Sequence, residues 1–368
     1  MKKANCCYIF IYPEGAQESV AAARLTLSKN NTIFIDYGIK YLKNINYPID
    51  PINIPCRNST IELNANTWHS MADAYPYLFS SANLSIDKFL DYNQSLNCLG
   101  NIEFKESLQS KTEPYKPILF SSLNFLNKEN NISQTNEDII NNFTVQYEGD
   151  LYTIKFAKKP KDVLKLKIEY AYMQLADACG INIPMAHLLE KNNTFFLLTE
   201  RIDRESSSEG QYTKIGYLSA KSFLNEISKD NILNKINIAD NMRKYCPENL
   251  YEFLQRSLFN ILVNNEDCLR HTGFLFTANS LRLAPAINFQ IKYTPIDNQL
   301  IMKQIKNIVN NSERSGLIKS NALDILREIF DILSNWKNFF KNIDITKQEI
   351  NDIKLYFSKI LQIAHTKF

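Results

Sequence analysis

A hairpin, a helix and one further strand follow one another in the middle of the chain, ahead of a long helical region. Two apolar segments, 143–145 and 151–156, flank a Glu-Gly-Asp turn, which is typical of a β-hairpin. Apolar residues then recur at helical spacing over 164–175, and Gly180 stands where that helix would end. Residues 194–200 form a short apolar strand. This order predicts an α+β chain with a small sheet before a mainly helical part.

The remainder of the chain carries apolar stripes at helical spacing, which are typical of core-facing helices. The stripes comprise Leu250, Phe253, Leu254, Ser257, Ile261 and Leu262, then Leu326, Ile329, Phe330, Leu333, Trp336 and Phe340. The chain has 368 residues, of which 45% are hydrophobic. That length allows two packed domains or one large bilobal unit.

The composition gives no support for several classes of protein. A net charge of +3 gives no argument for nucleic acid or a membrane surface. The seven cysteines form no C-x-x-C pair and the four histidines lie far apart, so neither a zinc site nor a disulfide framework is indicated. We interpret the apolar residues 6–12 as a first strand and find no apolar run of about 20 residues. We therefore expect a cytoplasmic protein, with export that needs no N-terminal signal left open.

Short blocks follow one another in a fixed order, for example Tyr-Pro-Ile-Asp-Pro at 47–51 and Glu-Arg-Ile-Asp-Arg at 200–204. The remaining blocks are residues 34–37, 71–76, 154–156, 180–184, 259–264, 273–275 and 283–286. Together they resemble the HipA family of bacterial serine/threonine kinases, the toxins of type II toxin–antitoxin modules. Each block is short, but their order covers nearly the whole chain.

The resemblance implies a bilobal, protein-kinase-like α+β fold with a small, mixed, β-rich N-terminal part and a mainly helical C-lobe. A HipA N-terminal-like subdomain is expected over 1–110. A degenerate phosphate-loop or linker segment follows over 111–142. The core of the kinase-like N-lobe would occupy 143–204, and the helical C-lobe with its remnant catalytic loop 205–368.

The resemblance also implies an ATP site in the N-lobe. Lys155 matches the phosphate-binding lysine, and Glu169, on the following helix, is placed to orient it. Glu200 to Ile202 match the segment that holds adenine, mainly through backbone groups. The alternative is an exposed strand lysine with a solvated helix acid. ATP and Mg²⁺ are the implied cofactors.

The catalytic loop departs from the family pattern N-x-D-x-H-x-[RK]-N. Arg270 sets the register, which places Glu266 at the catalytic carboxylate, with Asp267 as the alternative if the loop shifts by one residue. His271 and Asn288 then occupy the two metal-binding positions. An extra methylene that displaces a carboxylate by about 1 Å costs on the order of a hundredfold in rate. Magnesium also prefers oxygen to imidazole, and an amide carries no charge.

The phosphate loop differs from the family as well. Segment 133–142 aligns with the stretch G-x-S-x-G-G-A-x-P-K, and Glu137 and Asp138 fall where glycines would stand. Side chains obstruct close approach of the backbone to phosphate, and carboxylates repel a triphosphate. Phosphate binding and metal binding are therefore both expected to be weakened.

These departures predict a catalytically impaired HipA-like pseudokinase that binds a partner protein, and nucleotide with little turnover. The expected partner is a cognate antitoxin or a translation factor, with no direct binding of nucleic acid or membrane. One alternative is an active kinase toxin that phosphorylates a translation-related protein. Another is a host-directed binding module.

Overall fold

The first five strands form an antiparallel sheet in the order β4-β3-β2-β1-β5. The strands are β1 (Cys6–Ile11), β2 (Val20–Leu27), β3 (Thr32–Tyr37), β4 (Ile61–Asn64) and β5 (Ile102–Lys105). Two short helices, α1 (Ile39–Asn44) and α2 (His69–Asp73), follow β3 and β4. The computed structural model describes residues 5–30, 32–64, 68–74, 86–87, 90, 98–110, 117–123, 140–206, 212–224, 227–228, 230–265, 269, 272–289, 297–341, 343, 345 and 347–364.

The predicted hairpin lies at the centre of a second sheet, whose order is β6-β7-β8-β10-β9. Its strands are β6 (Ile118–Leu119), β7 (Ile140–Tyr147), β8 (Asp150–Ala157), β9 (Ala186–Lys191) and β10 (Thr194–Glu200). Glu148 and Gly149 both have positive φ, +50° and +101°, which gives the tight turn that matches strand twist. β6 pairs with β7 in parallel, and the other neighbours are antiparallel.

Strand β7 begins at Ile140, inside the segment for which we expected a degenerate phosphate loop. Ile140 and Asn141 pair with Phe156 and Lys155 of β8. The start of the strand has no apolar pattern, because two asparagines follow Ile140. Strand pairing there depends on backbone groups alone. Residues 133–139, including Glu137 and Asp138, lie outside the described residues.

Helix α3 (Pro160–Ala178) packs on one face of this second sheet. Proline at its first position and Asp162 in its first turn favour the start. The helix ends as predicted at Gly180, whose φ is +75°. Gly180 donates its N–H to the Asp177 carbonyl (2.8 Å) and Ile181 to that of Ala176 (3.0 Å), which is the Schellman arrangement.

The rest of the chain is mainly helical, as predicted. A small hairpin of β11 (Arg204–Ser206) and β12 (Tyr212–Lys214) precedes the sheet β13-β14-β15. The strands of that sheet are β13 (Gly216–Ser219), β14 (Gly273–Phe276) and β15 (Leu281–Leu283). The helices are α4 (Ala220–Phe223), α5 (Asn231–Tyr245), α6 (Leu250–Leu262), α7 (Asn298–Asn310), α8 (Lys319–Ser334), α9 (Trp336–Phe340) and α10 (Lys347–Ala364).

The apolar cores explain how these parts are held together. The first sheet shares one core with β13–β15 and with α5, through residues such as Phe104, Phe223 and Phe274. The helices form a second core around Phe259 and Phe357, which includes one side of α3. The first sheet is therefore buried against the C-lobe. Among the described helices, none is both long and apolar enough to cross a membrane.

Candidate functional site

Lys155 and Glu169 form an ion pair between the second sheet and α3. Lys155 Nζ donates to both carboxylate oxygens of Glu169, at 2.7 and 2.9 Å. The two side chains are 13% and 12% exposed, so the pair is largely screened from water yet reachable. A bidentate arrangement of this kind fixes the ammonium in one position. The sequence predicted both residues, and the structure brings them together.

The face of the sheet that carries Lys155 continues towards the end of β10 as a row of threonines. In an antiparallel pair, directly opposite residues point to the same face. Lys155 pairs with Leu197, and Thr153 pairs with both Thr199 and Thr144. We call this row, Thr144, Thr153, Lys155 and Thr199, the lysine face. Thr153, Lys155 and Thr199 are each partly exposed, whereas Thr144 is buried.

Glu200 and Ile202 lie where the chain passes from the second sheet into the C-lobe. The Glu200 N–H donates to the Met185 carbonyl (2.8 Å), and a Glu200 carboxylate oxygen accepts the Met185 N–H (3.3 Å). Ile202 is half-buried and packs with Ile215 and Tyr217. The side chains of both residues thus have structural contacts, and the Glu200 N–H is bonded within the protein.

Arg201, Asp203 and Arg204 form a buried charged cluster directly after β10. Arg201 Nε and Nη2 donate to the two Asp203 carboxylate oxygens, each at 2.8 Å, and Arg204 Nη1 donates to Oδ2 at 2.5 Å. Burial alone would raise the pKa of the Asp203 carboxyl, but the two guanidinium groups outweigh it and hold the pKa at about 2. Asp203 is therefore charged at neutral pH.

The same cluster reaches two other parts of the molecule. Arg201 Nη1 donates to Thr144 Oγ1 of β7 (2.8 Å), and Arg201 Nη2 to the Cys98 carbonyl (2.7 Å). The Gly100 N–H donates to Asp203 Oδ2 (2.6 Å). Glu-Arg-Ile-Asp-Arg at 200–204 is one of the blocks that resemble the family, but the resemblance assigned no role to the side chains of Arg201, Asp203 and Arg204.

The segment predicted as the catalytic loop leaves α6 in a defined geometry. Asn265 donates its N–H to the Asn260 carbonyl and its side-chain amide to Asn260 Oδ1, both at 3.0 Å. Asn264 between them has a φ of +49°, a conformation that asparagine tolerates. Glu266, Asp267 and His271, with Cys268 and Arg270, lie outside the described residues. Their predicted roles stay predictions.

Asn288 is held near the end of the segment that follows β15. The Ala286 N–H donates to the Asn182 carbonyl (2.8 Å), and the Phe289 ring packs edge-on against Phe259, with centroids 6.3 Å apart. Asn288 lies between these anchors with a φ of +58° and is partly exposed. Its amide oxygen is one candidate metal ligand. Within the described residues, Asn288 makes no hydrogen bond to Lys155 or Glu169.

The described residues meet the requirements of the phosphate groups of Mg-ATP better than those of the magnesium ion. A fixed, partly exposed ammonium on Lys155 fits a phosphate group. Magnesium takes about six oxygen ligands, and Asn288 offers one neutral oxygen. No group of three or more His, Cys, Asp or Glu side chains that could hold a metal occurs among the described residues. The described residues thus fit the nucleotide better than the metal.

Residues 129–352, more than half of the chain, match the family of the HipA-like C-terminal domain. The whole fold is similar to HipA of the toxin–antitoxin system of Shewanella oneidensis MR-1, solved with HipB and its operator DNA. The TM-score is 0.68 at 15% identity, over 97% of this chain and 96% of that one. This likeness confirms the predicted bilobal, kinase-like fold.

Other comparisons add less. The proinflammatory kinase CtkA of Helicobacter pylori is similar with a TM-score of 0.44 at 17% identity, over 61% of this chain and 90% of that one. No curated protein matches the sequence. The family match covers the second sheet from β7 onwards and most of the C-lobe, including Lys155, Glu169 and Asn288. The chain therefore belongs to the family of the HipA-like C-terminal domain, as its sequence blocks predicted.

Proposed function

We propose that this protein is a HipA-type, kinase-fold member of a toxin–antitoxin module that binds nucleotide on the lysine face and acts through a partner protein, with impaired phosphoryl transfer. The observation that carries nucleotide binding is the bidentate Lys155–Glu169 pair. Holding an ammonium in place costs side-chain entropy, and a buried pair by itself adds little stability. A pair of this kind is therefore better explained by a ligand that uses the ammonium.

In the proposed complex, Lys155 neutralises phosphate charge and Glu169 keeps the ammonium aimed at it. The base lies along the lysine face towards Glu200 and Ile202. Bound ATP would supply the transferable phosphoryl group. Asn288 is left as a single neutral oxygen ligand for a metal ion, which supports weak metal binding and slow transfer.

A titration of ATP with and without magnesium, followed by thermal unfolding, tests nucleotide binding. We expect ATP to raise the unfolding temperature of the wild type with little dependence on magnesium. The rise should be lost in Lys155→Ala. Lys158→Ala is the matched control, because Lys158 is exposed just after the same strand. No stabilisation of the wild type by ATP or ADP would refute the proposal.

An assay for transfer of the γ-phosphate decides between the impaired protein and the active kinase. We expect incorporation no greater than in Lys155→Ala. Magnesium-dependent incorporation that Lys155→Ala abolishes and Lys158→Ala retains would instead establish an active serine/threonine kinase. Substitution of Glu266 and of Asp267 would then identify the catalytic carboxylate.

The proposed partner is a cognate antitoxin, with a translation factor as the second candidate. The similar HipA of Shewanella oneidensis was solved with HipB and operator DNA. The expectation that this chain makes no direct contact with nucleic acid has no support from that structure, because operator DNA is part of the complex. Co-purification with the product of an adjacent small gene, with and without DNA, tests the partner. Failure to form a complex in both conditions would refute an antitoxin.

A further inference from the structure

We propose that Arg201 is a positioning residue that couples the first sheet to the lysine face. The guanidinium is the meeting point of three chain segments that are distant in sequence. It contacts Asp203 beyond β10, Thr144 on β7 and the Cys98 carbonyl ahead of β5. The effect on ligand affinity rests on the proposed function, whereas the coupling itself does not.

The contact with Thr144 connects Arg201 to the lysine face. Thr144 lies opposite Thr153 of β8, and Thr153 lies two residues from Lys155 on the same face. The bond from Arg201 Nη1 to Thr144 Oγ1 therefore fixes β7 against the end of the row that a nucleotide would occupy. Thr144 is buried, so water does not readily replace this bond when it is lost.

The contacts with residues 98–100 connect the cluster to the first sheet. The Cys98 carbonyl accepts from Arg201 Nη2 (2.7 Å) and Arg204 Nη2 (3.0 Å), and the Gly100 N–H donates to Asp203 (2.6 Å). The Tyr12 N–H donates to the Asn101 carbonyl, so this segment continues directly into the sheet at β1. A movement of the first sheet cannot leave residues 201–204, the linker that follows β10, in place without breaking these bonds.

A second contact beside the cluster strengthens the connection. Lys214 of β12 lies opposite Arg204 and donates to Glu103 Oε1 on β5 (2.9 Å). The Lys214 ammonium also lies 3.9 Å from the centre of the Tyr12 ring. The Tyr212 hydroxyl, on the same strand, donates to the Gly149 carbonyl in the β7–β8 turn. The β11–β12 hairpin thus joins the same two sheets as Arg201 does.

Buried charges make this cluster respond as a unit. Asp203 has no exposed surface, and the Arg201 and Arg204 side chains are 3% and 6% exposed. Separating the carboxylate from either guanidinium would reduce the compensation of a buried charge, which is unfavourable. The linker and residues 98–100 therefore move together. A partner that binds the first sheet would alter nucleotide affinity through this cluster, and the nucleotide would alter partner affinity equally.

The test compares substitutions that remove single contacts of the guanidinium. Arg201→Lys keeps the charge beside Asp203 but lacks the planar fork that reaches Thr144 and Cys98. Thr144→Val replaces the hydroxyl with a methyl group, and Thr144→Ser keeps the hydroxyl. Asp73→Asn is the control, because Asp73 binds Ser219 and joins the same N-terminal part to the C-lobe away from the linker. Each protein is examined by amide hydrogen exchange without ligand and by titration with ATP.

We expect Arg201→Lys and Thr144→Val to speed exchange in 98–105 and in β7–β8 together, and to weaken ATP binding about tenfold. Thr144→Ser should leave both the exchange rates and the ATP affinity at the wild-type level. Asp73→Asn should lower stability while leaving ATP affinity unchanged. Faster exchange confined to the substituted strand, or ATP binding equal to wild type in both variants, would overturn the proposal. If the wild type binds no ATP, the proposed function fails and the exchange result alone decides the coupling.

Discussion

Replacement of Asp73 by asparagine tests how the N-terminal part is attached to the C-lobe. Asp73 is the last residue of α2 and is 3% exposed. Its two carboxylate oxygens accept the N–H and the hydroxyl of Ser219, both at 2.7 Å. Burial raises the pKa of the Asp73 carboxyl from 3.8 to about 6, although the bonds from Ser219 oppose this. Its contribution to stability should therefore depend on pH.

The folded carboxyl holds its proton below about pH 6, whereas the unfolded one does so only below about pH 4. Between these values the folded state binds more protons, so stability falls as the pH rises. The difference between the two pKa values corresponds to about 3 kcal/mol. His69, at the start of α2, acts in the opposite direction, because burial lowers its pKa. Asp50 interacts electrostatically with both groups.

The measurement is the free energy of unfolding of wild type and Asp73→Asn from urea titrations between about pH 4 and pH 7. Because both proteins keep His69 and Asp50, their difference isolates Asp73. We expect the advantage of the wild type over the variant to shrink by about 2 kcal/mol across this range, because the unfolded carboxyl is already partly ionised at pH 4. A difference that is constant, or that grows with pH, would refute the argument from burial.

Three further predictions test the site and its surroundings. Glu169→Gln should lower the free energy of unfolding by about 1–2 kcal/mol. The double variant with Lys155→Met should lose less stability than the two single variants added together, because the first substitution already breaks the pair. Additive losses in this double-mutant cycle would contradict the pair. Gly273→Ala should lower the free energy of unfolding by about 1–3 kcal/mol, because the added Cβ would lie 2.3 Å from the Tyr217 ring. Gly38→Ala is the control: the nearest atom to its Cβ would be 3.7 Å away, so stability should change by less than about 0.5 kcal/mol. Equal shifts of the unfolding temperature in the two variants would contradict this packing. Phe259→Ala should cost about 3–5 kcal/mol and speed amide exchange around Phe289, and a loss below about 1 kcal/mol would show that the core is loosely packed there.

Local pattern was enough to predict the elements around the site. The Glu-Gly-Asp turn, the apolar periodicity of α3 and Gly180 at its end depend on neighbours a few residues apart. The same holds for the stripe on α6, whose predicted core residues are buried. Lys155 and Glu169 were predicted from family blocks and meet in the structure. The polar start of β7 escaped prediction, because strand pairing there depends on β8 and on no side-chain pattern of its own.

The sequence by itself determined the family, the order of hairpin, helix and strand in the second sheet, and the two residues Lys155 and Glu169 that pair there. Only the tertiary structure decided what the charges of 200–204 contact and how the first sheet is attached. Asp203 meets Gly100 across 103 residues, and Asp73 meets Ser219 across 146. Such contacts leave no mark on local periodicity. They form because a buried carboxylate must be compensated by whichever donors the folded chain brings beside it.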